Sequence, residues 1–161
     1  MRYNTIRSLD IANGPGARIS IFVQGCEFSC PGCFNSVAKD FSGGKEFTDD
    51  TMQTLLDLAK PDYLSGISIL GGEPLHPKNR KDVLELVRKF KEVYPEKTVW
   101  LWTGYLWEVV ANDIIGSGID VLVDGQFKEE LKDLRLKYCG SSNQRVIDVK
   151  NSTADYITQL I

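Results

Sequence analysis

Ile19-Ser20-Ile21-Phe22-Val23-Gln24 runs directly into Gly25-Cys26-Glu27-Phe28-Ser29-Cys30-Pro31-Gly32-Cys33, and the nature of that first stretch decides the fold. It is apolar and rich in β-branched and aromatic residues, the composition of a buried strand. Similar runs recur at Ile67 to Leu70, Thr98 to Trp102, Ile119 to Val123 and, more weakly, Arg145 to Val149. Helical patterns lie between them. Thr48 can cap a helix over Asp49 to Lys60, with Met52, Leu55, Leu56 and Ala59 on one face and Pro61 as its stop. Pro77 suits the first turn of a second helix that ends before Pro95, and Val83, Val87, Phe90 and Tyr94 keep its core-facing spacing. Alternating strands and helices predict an α/β fold with a mainly parallel sheet and crossover helices. A closed eight-unit barrel takes ~250 residues, so 161 residues supply about five units. The expectation is an open partial (β/α) barrel forming a single domain over residues 1–161.

Composition narrows the function. Hydrophobic residues make up 42% and charged residues 25%, as in ordinary globular domains, which excludes disorder and fibrous repeats. The net charge is -3, and no run of Lys or Arg builds the electropositive face that phosphate backbones need, so nucleic acid is not an expected partner. The first 25 residues carry Arg2, Arg7, Asp10 and Arg18 in place of an apolar signal core, and no apolar run approaches the ~20 residues of a spanning helix. A cytoplasmic protein with reduced thiols and no membrane contact is expected.

Cys26, Cys30 and Cys33 sit just past the carboxyl end of the first strand, the side on which parallel α/β sheets bind ligands. A disulfide framework is disfavoured by the compartment. Zinc would need a fourth ligand, for which Cys139 and the single histidine, His76, are the candidates. An electron-transfer cluster would need Cys139 to close its ligand set. The remaining reading is a 4Fe-4S cluster with one iron free of protein ligands, an open site for a substrate. Gly71-Gly72-Glu73-Pro74 follows the next strand at the same end of the sheet. Glycines there let the backbone approach a ligand and offer carbonyls to an ammonium group.

The Cys-x3-Cys-x2-Cys spacing, with Gly-Gly-Glu after the next strand, resembles the radical S-adenosylmethionine superfamily. Within it the chain resembles the activating enzymes of anaerobic, class III, ribonucleotide reductase. The resemblance rests on Asp10 to Gly16, Cys26 to Asn35, Gly71 to Pro77, Trp102-Thr103-Gly104-Tyr105, Val123 to Phe127 and Gly140-Ser141-Ser142-Asn143-Gln144. It implies that Cys26, Cys30 and Cys33 ligate the cluster and that the open iron chelates S-adenosyl-L-methionine through its amino and carboxylate groups. Reductive cleavage would then give methionine and a 5'-deoxyadenosyl radical, which makes a glycyl radical on the large subunit of the reductase. An external one-electron donor such as flavodoxin is implied. Gly71, Gly72 and Glu73 would hold the amino group. Gly32, where the superfamily often has an aromatic residue, would touch adenine through its backbone beside Cys33, with Phe34 as an apolar contact. Activators of pyruvate formate-lyase are similar in chemistry but usually longer, and activation of such an enzyme is the alternative. A non-catalytic iron-sulfur or zinc module is the other.

Other residues are read structurally. Asn13-Gly14-Pro15-Gly16 is read as a turn, with a direct substrate role as the alternative, and Asp124-Gly125 as a turn whose place at a strand end also suits a polar contact to the cofactor; His76 is a helix-start residue, Cys139 a free structural thiol, and Trp100, Trp102 and Trp107 are core or interface aromatics. Gly140 to Gln144 is polar enough to form a mobile rim of the site. A branched residue at Gly72 is expected to weaken cofactor binding while sparing the cluster.

Overall fold

The computed structural model of this chain describes residues 1–33 and 35–161. Its strands are β1 (Arg2–Asp10), β2 (Ala17–Val23), β3 (Lys45–Glu46), β4 (Leu64–Gly71), β5 (Thr98–Trp102), β6 (Val121–Asp124) and β7 (Arg145–Asp148), and its α-helices are α1 (Asp49–Leu58), α2 (Pro77–Val93) and α3 (Trp107–Ile114). The strands form one sheet in the order β3-β1-β2-β4-β5-β6-β7. β2, β4, β5 and β6 run parallel, with antiparallel strands added at both flanks.

The period-2 alternation of the strands separates two faces. Ile19, Ile21 and Val23, Ile67 and Ile69, Val99 and Leu101, and Leu122 pack with Met52 and Leu55 of α1, Val83, Val87 and Phe90 of α2 and Trp107 and Val110 of α3. Fully burying side chains of this kind is worth about 1.5 to 3 kcal/mol each, so this layer is the main source of stability. On the other face Trp100, Val121, Val123 and Val146 make a smaller cluster, against which Trp102, Tyr138 and Cys139 pack.

Arg18 lies on that second face and is fully buried. Its guanidinium donates to the Ser68 and Thr98 hydroxyls and to the carbonyls of Pro15, Ile67 and Thr98. Burial pulls its pKa down to about 10. Ser68 donates in turn to Asn13 O at 2.5 Å, and Asp10 accepts from Ser20 and from the Ala12 and Asn13 amides. This network closes the amino-terminal end of the parallel strands and fixes the Asp10–Gly16 turn, so ligand space lies toward the other end.

Thr48 caps α1 as its sequence predicts, and its hydroxyl accepts from the Thr51 amide. Three features go beyond the sequence pattern. β7 is antiparallel to β6, although the pattern suggested a parallel continuation. β1 went unread because its residues are half-buried rather than apolar. α3 has no side-chain cap of its own; Asp124 at the end of β6 supplies it by accepting from the Trp107 amide at 2.7 Å. A tertiary cap leaves no local signal. No helix among the described residues is long and apolar enough to cross a membrane.

Candidate functional site

The segment after β2 leaves the sheet and returns to it. Gly25 N donates to Ala38 O at 2.6 Å, Cys26 N to Lys39 O at 3.0 Å, and the Gln24 side chain to Val37 O at 3.1 Å. These bonds zip the base of a loop that contains all three clustered cysteines. Gly25 needs its positive φ of 104°, and a Cβ there would overlap the Phe41 ring. His76, the N-cap of α2, lies 3.1 Å from the Glu27 carboxylate and ties the loop to that helix.

Cys26, Cys30 and Cys33 line one cavity of about 360 Å³ at the carboxyl ends of the parallel strands. Burial raises the pKa of Cys26, and Glu73 and the other two thiols add to the rise. Burial also raises that of Cys30; Cys33 adds to it, while the Phe127 amide and Lys39 oppose it. Cys26 and Cys30 therefore feel the neighbouring sulfurs, and a thiophilic metal group binding to these two thiols would release their protons. Among the described residues no three His, Cys, Asp or Glu side chains converge on a point that would hold a single metal ion.

Gly71 and Gly72 line the same cavity. The Gly72 amide donates to Val23 O and the Glu73 amide to Gly25 O, both at 2.7 Å, so this segment lies alongside the start of the cysteine loop. Gly71 has φ 120°, and a Cβ there would lie 2.4 Å from the Val23 nitrogen. At Gly72 a Cβ would lie 2.4 Å from Gly25 O and 2.7 Å from Ala38 O. Both glycines are thus demanded by backbone packing between the two motifs, a reason the sequence did not disclose.

The Glu73 side chain points into the protein. Its carboxylate accepts from the Leu75 amide (2.8 Å), the Thr103 hydroxyl (2.7 Å) and the Gly104 amide (2.6 Å), and it is 1% exposed. It locks the β4–α2 loop to the β5–α3 loop. Burial outweighs these bonds and pushes its pKa up to about 7 from 4.5. The folded state therefore holds a proton that the unfolded state releases between those values, and stability falls as pH rises from about 4.5 to about 7. Ionising Glu73 in place costs on the order of 3 kcal/mol. Unfolding free energies of Glu73→Gln and wild type, measured across this range, are expected to differ by an amount that shifts in favour of the variant by about that much. A difference independent of pH would show that Glu73 stays ionised throughout.

The opposite wall comes from the long connection between β6 and β7. Gln144 accepts from the Gly140 and Ser141 amides and donates to Gly125 O; Asn143 donates to Gln126 O; Ser141, fully buried, donates to Asn143 and accepts from the Lys128 amide. Gly140 to Gln144 is therefore a hydrogen-bonded clasp at the loop's base, and Gly140 and Gln144 line the cavity from it. Tyr138 sits at φ 67°, its carbonyl accepting from the Trp102 indole and its ring edge against Trp100. Cys139 lines the cavity from this wall, and burial, helped by Asp124, raises its pKa to about 11.

Of the residues singled out in the sequence, the structure brings Cys26, Cys30, Cys33, Gly71, Gly72 and Glu73 to one cavity. Gly32 is exposed, with φ 74°, and a Cβ there would face the Glu129 carboxylate at 3.0 to 3.2 Å; it is not among the lining residues. Phe34 lies outside the described residues. Asn13, Trp102, Thr103, Gln126 and Cys139 also line the cavity; Asn13 reads as a turn, Trp102 as core and Cys139 as a structural thiol in the sequence, while Thr103 and Gln126 stand there only within the family resemblance. Only the register of distant strands brings them there. Asp124 serves the fold: fully buried, it accepts from Trp107 N and pairs with Arg145 at 2.6 Å.

A donor set of three thiols beside two glycines, at the strand ends of a parallel sheet, suits an iron-sulfur cluster with room for a second ligand. Residues 12–147 match the family model described as a 4Fe-4S single cluster domain. The chain is 43% identical over 150 residues to the anaerobic ribonucleoside-triphosphate reductase-activating protein of Salmonella typhi, an alignment covering 91% of this chain and 97% of that one. It is 41% identical to the protein of that name from Escherichia coli (strain K12), with the same coverage. The same-named protein of Enterobacteria phage T4 is 38% identical over 146 residues, 91% of this chain and 93% of its own. The three-thiol loop, the adjoining glycines and likeness along nine-tenths of the sequence converge: the chain belongs to the family of anaerobic ribonucleoside-triphosphate reductase-activating proteins, enzymes built on a 4Fe-4S cluster domain.

Proposed function

We propose that this chain activates anaerobic ribonucleoside-triphosphate reductase by generating a glycyl radical on it. One observation carries the reading: Cys26, Cys30 and Cys33 share a single cavity with Gly71 and Gly72. Three thiolates would hold a 4Fe-4S cluster with one iron open, and a cluster of this kind with bound S-adenosyl-L-methionine supplies one-electron cleavage of the sulfonium. The chain's own residues bind and orient. The Gly71-Gly72 backbone would accept from the amino group of the cofactor, and Glu73 ties that segment to the β5–α3 loop. By the family resemblance, the Gly32 backbone and the Phe34 side chain would contact adenine beside Cys33. The polypeptide is read as an open partial barrel in one domain, supported by parallel strands that carry both motifs at the same end.

The target glycine has to reach the cavity itself, because a primary alkyl radical attacks the first C–H bond it meets. A second cavity, of about 540 Å³, continues past Cys30 and shares Gly104, Gly125, Gln126 and Phe127 with the first. It offers a route for a loop of the reductase. The test is anaerobic and uses the reconstituted chain with S-adenosyl-L-methionine and a one-electron donor such as flavodoxin. Methionine and 5'-deoxyadenosine are the expected products, and adding an anaerobic ribonucleotide reductase is expected to give a glycyl doublet in electron paramagnetic resonance. Pyruvate formate-lyase in its place is expected to give none. A doublet with the lyase alone would reassign the partner, and stoichiometric zinc without iron-sulfur absorption would overturn the chemistry.

A further inference from the structure

The first turn of α2 carries a side chain that joins the two motifs. Asn79 is 3% exposed, and its amide nitrogen donates to Gln24 O and to Glu73 O, each at 3.1 Å. Gln24 leads directly into Gly25-Cys26, and Glu73 ends the Gly-Gly-Glu segment. A side-chain NH2 has two hydrogens in a fixed fork, and here one goes to each motif. Asn79 does not line the cavity and touches no thiol. An apolar residue of similar size could hold α2 against the sheet, so burial alone does not account for an amide at this position.

We infer that Asn79 is a positioning residue that sets the spacing between the three-thiol loop and the Gly71-Gly72-Glu73 backbone. The inference deepens the functional reading above and rests on it, since a cofactor gripped by both motifs is what makes their spacing matter. A ligand spanning two binding elements tolerates displacements of only about 0.5 Å between them. The amides of Gly72 and Glu73 already bond to Val23 O and Gly25 O. Asn79 adds a side-chain link between the two segments, at the point where they diverge toward the cavity.

The experiment uses the full chain in two Asn79 variants. Asn79→Asp keeps the shape but turns an oxygen toward two carbonyl oxygens; Asn79→Ala is milder, because a water can enter the space it leaves. Leu86→Ala, which empties a buried position farther along α2, controls for general loosening. The first readout needs neither cluster nor cofactor. Hydrogen exchange at the Gly72 and Glu73 amides is expected to quicken about ten-fold in the Asn79 variants with little change elsewhere in the sheet, whereas Leu86→Ala speeds exchange broadly. After anaerobic reconstitution, iron per chain should match wild type. The concentration of S-adenosyl-L-methionine needed to perturb the cluster's paramagnetic spectrum should rise about ten-fold, a scale within what loss of the two hydrogen bonds would produce. Wild-type exchange at both amides with an unchanged titration would overturn the inference. Iron loss in proportion to the lost binding would also overturn it, because Asn79 would then merely support the cysteine loop. If the wild-type chain takes up no iron-sulfur cluster, the functional reading fails, and the exchange rates still decide whether Asn79 couples the two segments.

Discussion

Cys26→Ala, Cys30→Ala and Cys33→Ala are each expected to abolish cofactor cleavage, whereas Cys139→Ala is expected to leave cluster and cleavage largely intact. Both cysteine classes line the same cavity, so position in the cavity alone does not separate them. What separates them is placement. Cys26 and Cys30 lie close enough to each other and to Cys33 for their charges to interact, whereas the charge bearing on Cys139 is that of Asp124. The Cys139 sulfur lies 3.9 Å from Gln144 O, inside the wall clasped by Gly140 to Gln144. Burial, helped by the charge of Asp124, raises its thiol pKa to about 11. A cluster ligated by only two thiolates exposes two irons and is lost to solvent and oxidation. Iron and sulfide per chain, with the yield of 5'-deoxyadenosine, measure the outcome. If Cys139→Ala alone empties the cluster, the ligand set is four cysteines and the open iron disappears.

Gly72→Val is expected to lower both cluster loading and S-adenosyl-L-methionine binding. Sequence reasoning gave Gly72 the task of leaving room for a ligand and predicted that the cluster would be spared. The structure changes that expectation, because the obstacles to a side chain at Gly72 are Gly25 O and Ala38 O at 2.4 and 2.7 Å. Both are backbone atoms, and Ala38 O closes the base of the cysteine loop by accepting from Gly25 N. A rotamer change cannot relieve that overlap, so the loop must move. Overpacking of this kind costs about 1 to 3 kcal/mol or more, a fall in melting temperature of roughly 6 to 12 °C at the upper figure. Gly72→Ala meets the same two oxygens and is expected to follow, less severely. Normal iron content with selectively lost cofactor binding would restore the simpler role.

The sequence by itself determined the strand and helix alternation, the capping of α1 by Thr48, the start of α2 at Pro77 and the location of both motifs at one end of the sheet. Each of these is written in local signals: β-branched runs, a capping threonine, a proline, cysteines next to a strand. Tertiary structure decided the rest. α3 takes its cap from Asp124 of a different element, and β7 pairs antiparallel because its direction is set by where the long connection returns it. Glu73 belongs to a motif whose resemblance implies cofactor binding, and only the fold shows that its carboxylate accepts from Leu75, Thr103 and Gly104. Asn79 reads as an ordinary helix residue, yet it bridges segments that lie 55 and 6 residues away. Donors and acceptors brought together by strand register leave no spacing in the chain, so only the folded arrangement shows which polar groups face a ligand and which hold the binding segments in place.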